Sequence, residues 1–306
     1  MKKSLFAILL AFVFVLTACG NGNQASTEAE TSAAEETTTA ASENADAPET
    51  SAEANAEGAA LSEPVTLKIG VSPVPHGEIV EAAKENLAKR GVNVEIVTYD
   101  DYVVPNQALA SGDIDVNYFQ HEPYFEDFKK QNNLDLKKLG TVHIEPMAIF
   151  SATVKDLNDV PEGGKVLIPN DPTNGARALL LLEKQGLIKL DDPTNISATE
   201  ANITENPKNL TFVPLEAAIV GRTYQDGDLA VINSNYALEA GLNPVTDSLA
   251  IEDKDSPYAN ILAVRTGEEN EEKFKILLEE LNSDTVKKFI EDKYQGAVIP
   301  AFSNAQ

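Results

Sequence analysis

Residues 117–124, Asn-Tyr-Phe-Gln-His-Glu-Pro-Tyr, bring three aromatic rings and one of the three histidines of the chain into eight positions. They follow residues 112–116, Gly-Asp-Ile-Asp-Val, whose alternating apolar side chains predict a short half-buried strand. Phe125, Phe128 and a Lys- and Gln-rich run come next, and they predict a helix with Pro123 in its first turn. The sequence therefore places this stretch at a junction between a strand and a helix.

Junctions of this kind, at the carboxyl ends of strands, are where open α/β sheets bind ligands. The rings alone would be compatible with an ordinary core, but Asn117, Gln120 and His121 lie among them. Polar groups beside rings suit a pocket better than a dry core, because an unpaired polar group is costly to bury. We therefore expect residues 117–124 to line a pocket.

The chain begins with Met-Lys-Lys and has a run of 12 apolar residues from Leu5 to Leu16, too short to span a bilayer. These features predict a signal peptide over residues 1–18. Residues 16–20, Leu-Thr-Ala-Cys-Gly, resemble the lipobox of bacterial lipoproteins, which implies cleavage before Cys19 and a lipid such as palmitate on its sulfur. The alternative is a free cysteine after an ordinary signal peptide. Cys19 is the only cysteine, so neither a disulfide nor a cysteine metal cluster is available.

Residues 19–64 predict a disordered acidic linker behind the lipid anchor. From position 20 onward this segment has ten acidic residues, no Lys or Arg and no aromatic residue. Such a composition cannot bury enough apolar surface to offset the entropy lost on ordering. We expect it to tether a folded domain to a membrane surface.

The remaining 242 residues, 65–306, are enough for two lobes with separate cores. They carry 39 acidic and 22 basic side chains, a net charge of −17. A field of this sign repels phosphate backbones, so we expect no nucleic-acid partner. No later apolar run is long enough to cross a membrane.

The folded part opens with alternating apolar residues over 65–71, a helical pattern up to Arg90 and a second strand over 92–99. This order predicts a βαβ unit with a parallel, right-handed crossover. A helix over about 104–111 follows, and the apolar residues 147–150 predict a strand at the crossing into a second lobe.

A strand over about 260–264 predicts the return to the first lobe, with the final helices packed there. The expected division is lobe one from residues 65–150 plus 261–306, and lobe two from 151–260. The predicted fold class is α/β, with each lobe a mixed sheet flanked by helices and two crossings between the lobes.

In lobe two, Arg177 lies at a predicted transition from the strand 165–169 to a Leu-rich helix, for which Thr173 or Asn174 is the predicted N-cap. A helix N-terminus and a guanidinium together suit a carboxylate, although one arginine is often only a surface residue. Asn233 ends a second short strand, where it could bind a ligand or cap the next helix.

Five stretches together resemble the methionine-binding lipoproteins of the NlpA family, which are substrate-binding subunits of ATP-driven importers. They are residues 101–106, 117–124, 169–174, 232–233 and 255–260. The resemblance extends from Val65 to about Phe302. It implies a two-lobed, type II-like periplasmic-binding-protein fold that closes on free methionine.

The resemblance also implies roles for individual residues. Tyr102, Phe119, His121 and Tyr124 would surround the thioether of the ligand, and Asn174, Arg177, Asn233 and Asn260 would hold its amino and carboxylate groups. The implied partners are L-methionine and the permease and ATPase subunits of an ABC importer, with the protein a monomer anchored at the extracytoplasmic face of the cell membrane. Because the family includes members that take a dipeptide such as glycyl-methionine, a methionyl dipeptide is the alternative ligand. No cofactor is implied.

Two other classes of protein compete with this interpretation. A surface hydrolase would use His121 or His143 as a general base, but the chain has no Gly-x-Ser-x-Gly and no His-Glu-x-x-His motif. An adhesin would need an exposed binding patch, which a sequence does not reveal. We therefore predict a binding protein without catalytic residues or a metal site.

Overall fold

The computed structural model of the protein describes residues 59–254 and 256–303. The predicted signal peptide, Cys19 and most of the predicted linker lie outside the described residues, as does Asp255. Among the residues described, no helix combines the length and the apolar character needed to cross a membrane.

The first part of the folded chain alternates strands with helices. Its elements are β1 (Val65–Val71), α1 (Glu78–Lys89), β2 (Val92–Thr98), α2 (Val104–Ser111), β3 (Val116–His121), α3 (Glu122–Asn132) and β4 (Leu136–Ile144). The predicted βαβ opening is confirmed, since β1 pairs in parallel with β2.

The middle part of the chain forms a second group of elements. They are β5 (Ala148–Phe150), β6 (Lys165–Pro169), α4 (Pro172–Lys184), β7 (Lys189–Leu190), β8 (Ile203–Glu205), β9 (Thr211–Leu215), α5 (Ala217–Arg222), β10 (Leu229–Ile232), α6 (Ser234–Glu239) and β11 (Ala250–Ile251). The last part returns to the first group. Its elements are β12 (Ala259–Arg265), α7 (Glu272–Leu281), α8 (Asp284–Tyr294) and β13 (Ile299–Pro300).

The strands form two main sheets, and we define each lobe as one sheet with the helices that pack on it. The sheet of lobe one has the order β13-β4-β12-β3-β1-β2, and that of lobe two has the order β11-β5-β10-β6-β9. Each sheet contains parallel and antiparallel pairs, because β12 runs antiparallel to β3 and β5 runs antiparallel to β10. The strands β7 and β8 form a separate ribbon.

Helices cover both faces of each sheet. In β12, Leu262 and Val264 pack into the cluster formed with α1, α7 and α8, whereas Ile261 and Ala263 pack under α2 and α3. This division follows from the alternation of side chains along a strand. In lobe two, α4 covers one face, and α5 and α6 cover the other.

The strand at the centre of lobe one differs from its prediction. It is β3, Val116–His121, rather than residues 112–116, and all six of its residues are buried. Because β3 lies between β1 and β12 with helices on both faces, it shows continuous burial instead of alternation. The junction itself is as predicted, since α3 begins at Glu122 with Pro123 in its first turn.

The strand pairing moves the expected boundary between the lobes by a few residues. The strand Ala148–Phe150, expected in lobe one, pairs with β10 and β11 of lobe two. Ala259 and Asn260, expected in lobe two, belong to β12 and pair with β4 of lobe one. Three consecutive buried residues carry no periodicity that indicates their sheet, so only the tertiary pairing decides it. The chain crosses between the lobes after β4 and again before β12.

Candidate functional site

A cavity that is partly open to solvent lies between the two lobes, and the space in and in front of it that protein atoms leave free is about 320 Å³. All eight residues predicted to contact a ligand line it, namely Tyr102, Phe119, His121, Tyr124, Asn174, Arg177, Asn233 and Asn260. Four further residues complete the lining, namely Gln120, Glu145, Ser234 and Asn235. The walls come from the ends of β3 and β10, the first turns of α3, α4 and α6, and the start of β12. Strand ends and helix N-termini from both lobes thus converge on one space.

Aromatic rings form the lobe-one wall of the cavity. The ring of Tyr102 lies 5.9 Å from that of Phe119 and 5.7 Å from that of Tyr124, measured between centroids. The hydroxyl of Tyr124 donates to the backbone oxygen of Tyr102 at 2.9 Å, which fixes both side chains. These tilted and edge-on rings give an apolar, polarisable surface.

His121 joins this wall to lobe two and acts as the N-cap of α3. Its Nδ1 accepts from the backbone N–H of Tyr124 at 3.1 Å, so Nε2 carries the proton and donates to Oδ1 of Asn174 at 3.0 Å. Burial, reinforced by the positive charge of Arg177, lowers the pKa of His121 to about 3. The imidazole is therefore neutral at physiological pH.

Asn174 connects the two lobes through hydrogen bonds to protein groups. Its Oδ1 accepts from His121 and from Nδ2 of Asn233 at 2.8 Å, and its Nδ2 donates to both carboxylate oxygens of Asp171 at 3.0 Å. These bonds use both acceptor positions of Oδ1 and one N–H of Nδ2, which the two oxygens of Asp171 share. The predicted N-cap of α4 at Thr173 or Asn174 is wrong, because Asp171 accepts the backbone N–H of Asn174 and caps the helix. A carboxylate two or three residues upstream is the stronger acceptor.

Two asparagine side chains on the lobe-two wall each have one polar atom that forms no hydrogen bond with the described residues. The orientation of Asn174 directs Nδ2 of Asn233 toward it and leaves the buried Oδ1 of Asn233 without a hydrogen-bond partner among the described residues. Asn235 accepts the hydroxyl of Tyr102 at 2.6 Å through Oδ1, and its buried Nδ2 likewise lacks a partner within the described part of the chain. The cavity thus presents one unsatisfied acceptor and one unsatisfied donor.

Arg177 is buried, with 3% of its surface exposed, so the alternative of a surface arginine is wrong. Its Nε and Nη2 donate to the two carboxylate oxygens of Glu252 at 2.8 and 2.5 Å, and Nη2 also donates to the backbone oxygen of Glu145 at 2.7 Å. The guanidinium lies 4.2 Å from the ring centroid of Tyr258. A protein carboxylate therefore already neutralises Arg177, which reaches the cavity with only part of its fork.

A buried network lies beneath the cavity floor. One carboxylate oxygen of Glu145, Oε1, lies 2.7 Å from Nε2 of His143 and 3.2 Å from Nε2 of His76, and Nε2 of His76 is also 3.0 Å from Oδ1 of Asn260. The hydroxyl of Tyr118 bonds to Nδ1 of His143. Ligand atoms of His76, His143 and Glu145 lie within 4.8 Å of one another, a spacing that could hold a metal ion. The hydrogen bonds instead give each Nε2 a proton that points at an oxygen, which accounts for the same geometry without a metal.

Comparison with known proteins identifies the family. The chain matches the family model described as NlpA lipoprotein over residues 67–302. The chain therefore belongs to the NlpA lipoprotein family. It is similar to the methionine-binding lipoprotein MetQ of Bacillus subtilis (strain 168), with 38% identity over 304 residues that cover 98% of both chains.

Two solved structures show the same fold. One is a nutrient-binding protein from Burkholderia cenocepacia bound to methionine, with 41% identity and a TM-score of 0.74 over 77% of this chain and 100% of that chain. The other is an ABC transporter periplasmic substrate-binding protein from Coxiella burnetii, with 40% identity and a TM-score of 0.74 over 77% of this chain and 100% of that chain. Membership in the NlpA family confirms the predicted fold class and the prediction of a binding protein rather than an enzyme.

The geometry also explains why the two histidines proposed for a hydrolase do not act as bases. In His121, Nδ1 accepts a backbone N–H and Nε2 already carries a proton. In His143, Tyr118 occupies Nδ1 and Glu145 occupies Nε2, and the side chain is fully buried. A general base needs a free lone pair within reach of a substrate proton. Both rings serve the structure of the NlpA site.

The sequence prediction of the site omitted Glu145, Asn235 and Ser234. Asn235 and Ser234 follow Asn233 directly, and their position in the first turn of α6 was a usable signal. Glu145 interrupts the apolar run between Val142 and Ile149, and a lone charge in such a run was the second signal.

Proposed function

We propose that this NlpA-family protein captures free methionine between its two lobes and delivers it to an ABC importer. One observation carries the proposal. The cavity has aromatic rings on one wall, and on the other it has Arg177, the free acceptor of Asn233 and the free donor of Asn235. A small zwitterion with a polarisable side chain supplies the groups that this lining leaves unmatched.

The head group of the ligand would bind to lobe two. Its ammonium would donate to Oδ1 of Asn233, and its carboxylate would accept from Nδ2 of Asn235 and from the accessible edge of Arg177. Each such charge-assisted hydrogen bond contributes about 1.5–3 kcal/mol. Asn174 would act by holding Asn233 in place, since its Oδ1 already accepts two hydrogen bonds from protein groups and its Nδ2 donates to Asp171.

The side chain of the ligand would lie against Tyr102, Phe119 and Tyr124. A thioether gains about 0.3–1.5 kcal/mol for each contact with a ring edge, in addition to roughly 1.5–3 kcal/mol for burial. The solved relative from Burkholderia cenocepacia was bound to methionine, which supports this assignment.

The hydrogen bonds between the lobes favour a free amino acid over a methionyl dipeptide. A second residue would have to displace the hydrogen bonds that close the lobes, such as that from Tyr102 to Asn235 at 2.6 Å. A ligand that contacts both lobes binds the closed form more tightly than the open form and so stabilises the closed form. An importer can recognise that form.

The location that fits this function is the extracytoplasmic face of the cell membrane, with a lipid on Cys19 as the anchor and the acidic linker as the tether. The ABC permease and ATPase subunits would be the partners, and the binding protein would act as a monomer. The similarity to an ABC transporter substrate-binding protein of Coxiella burnetii supports this arrangement.

Titration calorimetry on protein that has been unfolded, stripped of ligand and refolded tests the proposal. L-methionine should bind with a stoichiometry of one and more tightly than norleucine, which is isosteric but lacks the sulfur. Glycyl-methionine should bind more weakly than methionine, and D-methionine in the same series measures the preference for one enantiomer. A protein that binds glycyl-methionine more tightly than methionine would contradict the assignment of a free amino acid, and one that binds neither would contradict the proposed function.

A further inference from the structure

We propose that Glu145 is the counter-charge for the amino group of the ligand and makes the site select for a free ammonium group. This inference rests on the proposed function, because it names the residue that would determine which amino compounds the same cavity accepts.

The position of Glu145 places a buried carboxyl group at the cavity, where burial raises its pKa above the ordinary value. The residue lies in the crossing that follows β4, has 6% of its surface exposed and lines the cavity. The charge of its carboxylate raises the pKa of both Tyr102 and Arg177, two other lining residues, although burial and Glu252 respectively act more strongly on them. The carboxylate is therefore close to the place where a ligand would lie.

The described neighbours of this carboxylate stabilise it by hydrogen bonds but bring no positive charge of their own. Nε2 of His143 donates to it at 2.7 Å, whereas Nε2 of His76 lies 3.2 Å away and makes its hydrogen bond with Oδ1 of Asn260. Burial lowers the pKa of His143 to about 3 and that of His76 to about 4. Both rings are thus neutral donors at physiological pH. The backbone N–H of Asn235 is a further neutral donor.

Arg177, the cation nearest to the cavity, forms its ion pair with Glu252 and not with the carboxylate of Glu145. Its guanidinium donates to both carboxylate oxygens of Glu252 and reaches Glu145 only through the backbone oxygen. Buried charges are normally paired, because an unpaired ion loses its hydration without compensation. Among the described residues, no lysine or arginine pairs directly with the carboxylate of Glu145. Burial raises the pKa of Glu145, and the charge of Arg177 lowers it without direct contact between the two charged groups. The cavity beside the carboxylate is the space in which a cation can supply a direct partner.

The two charged groups of an amino acid should therefore contribute unequally. The carboxylate of a ligand would bind to Arg177, which is already paired with Glu252. The ammonium would bind to Glu145, which has no lysine or arginine as a direct partner among the described residues. Loss of the ammonium should cost more affinity than loss of the carboxylate charge. This asymmetry can be measured on the unmodified protein with two analogues of methionine.

Calorimetry with 4-(methylthio)butanoate, which lacks the amino group, and with methionine amide, which keeps it, tests the inference. The first analogue should bind about tenfold to a hundredfold more weakly than methionine, the range given by one charge-assisted hydrogen bond, and the amide should lose less. If 4-(methylthio)butanoate binds better than the amide, the inference is wrong while the proposed function stands. If methionine itself does not bind, both are overturned.

The variant Glu145→Gln assigns the effect to the residue. The amide keeps an oxygen for the N–H of His143 but removes the charge, so methionine should weaken by about tenfold or more while 4-(methylthio)butanoate stays unchanged or binds better. Glu122→Gln is the matched control, since its half-exposed carboxylate faces Lys138 at 2.8 Å, and it should change neither ligand. If Glu145→Gln lowers the affinity for methionine and for 4-(methylthio)butanoate equally, the role of Glu145 is structural and the inference is wrong. Should that variant fail to fold, the comparison of the two analogues on the parent still decides the matter.

Discussion

At the scale of single residues, the rings of the cavity wall are expected to set specificity. Phe119 is buried on β3, and its ring stands 5.9 Å from that of Tyr102 and 6.4 Å from that of Tyr124. Phe119→Ala should weaken methionine by roughly 1.5–3 kcal/mol, the value of burying one large apolar side chain. The affinity for alanine, which does not reach the ring, should change less, so the ratio of the two affinities should fall in calorimetric titrations.

Phe128→Ala provides the matched control for this prediction. Phe128 stacks on the outer side of Tyr124 with centroids 5.7 Å apart and does not line the cavity. The same truncation there should leave the ratio of methionine to alanine affinity unchanged. A ratio that falls equally in both variants would mean that ring packing as a whole, rather than contact with Phe119, determines specificity.

The three histidines predict how stability depends on pH. Their pKa values fall from 6.5 to about 4 in His76 and to about 3 in His121 and His143, chiefly because each ring is buried. Between pH 6.5 and these lowered pKa values, the histidines are therefore protonated in the unfolded chain and neutral in the folded chain. The contribution of the histidines should be complete above pH 6.5 and should decline as the pH falls from 6.5 toward 3–4. Glu239, whose pKa burial raises to about 7, binds a proton in the folded chain over the same range and offsets one of the three histidines. The net slope should therefore reach about 3 kcal/mol per pH unit near pH 5.

Denaturant unfolding between pH 7.5 and pH 5 measures this slope in a range above the titration of most carboxylates. The variant His121→Asn keeps a side-chain acceptor for the N-terminus of α3 and removes one titrating ring. It should reduce the slope by about 1 kcal/mol per pH unit. A free energy of unfolding that stays constant between pH 7 and pH 5 would contradict the neutral state of these rings.

At the scale of elements, the N-terminus of α4 links helix stability to the site. Asp171 caps the helix and also fixes Nδ2 of Asn174, which in turn fixes Asn233. Asp171→Ala should lower the free energy of unfolding by about 1 kcal/mol through the lost cap. It should also weaken methionine by roughly tenfold, because Asn174 loses its acceptor and can turn.

Ser283→Ala separates these two effects. Ser283 caps α8 in lobe one by accepting the backbone N–H of Val286 at 3.3 Å, and it does not line the cavity. This variant should lose similar stability in thermal or denaturant unfolding but keep the affinity for methionine. If Asp171→Ala also keeps its affinity, the chain of hydrogen bonds through Asn174 does not position the ligand.

Elements with clear periodicity were predictable, and those decided by tertiary pairing were not. The helix α2 and the strand β1 follow from alternation and helical spacing, and so does the junction at Pro123. The strand β3 was displaced because burial on both faces removes the alternation on which its prediction relied. The cap of α4 was misplaced because three residues within one turn, Asp171, Thr173 and Asn174, are all suitable caps.

At the scale of the whole molecule, hydrogen bonds between the lobes define a closed form. Tyr102 donates to Asn235 at 2.6 Å, His121 donates to Asn174 at 3.0 Å, and the hydroxyl of Tyr236 donates to the backbone oxygen of Asp100 at 3.3 Å. The resemblance to the NlpA family brought the eight predicted residues to one cavity. The commitment of Arg177 to Glu252 was not predictable, since 75 residues separate them and no local pattern joins them.

The central claim is that methionine lies in this cavity with its side chain among the rings of lobe one. The most direct test is a crystal structure of the stripped protein with free L-selenomethionine, whose selenium gives an anomalous signal that locates the side-chain atom. The account predicts one strong anomalous peak between Tyr102, Phe119 and Tyr124, with the carboxylate of the ligand toward Arg177. A peak at another site, or a cavity without a peak under saturating ligand, would contradict it.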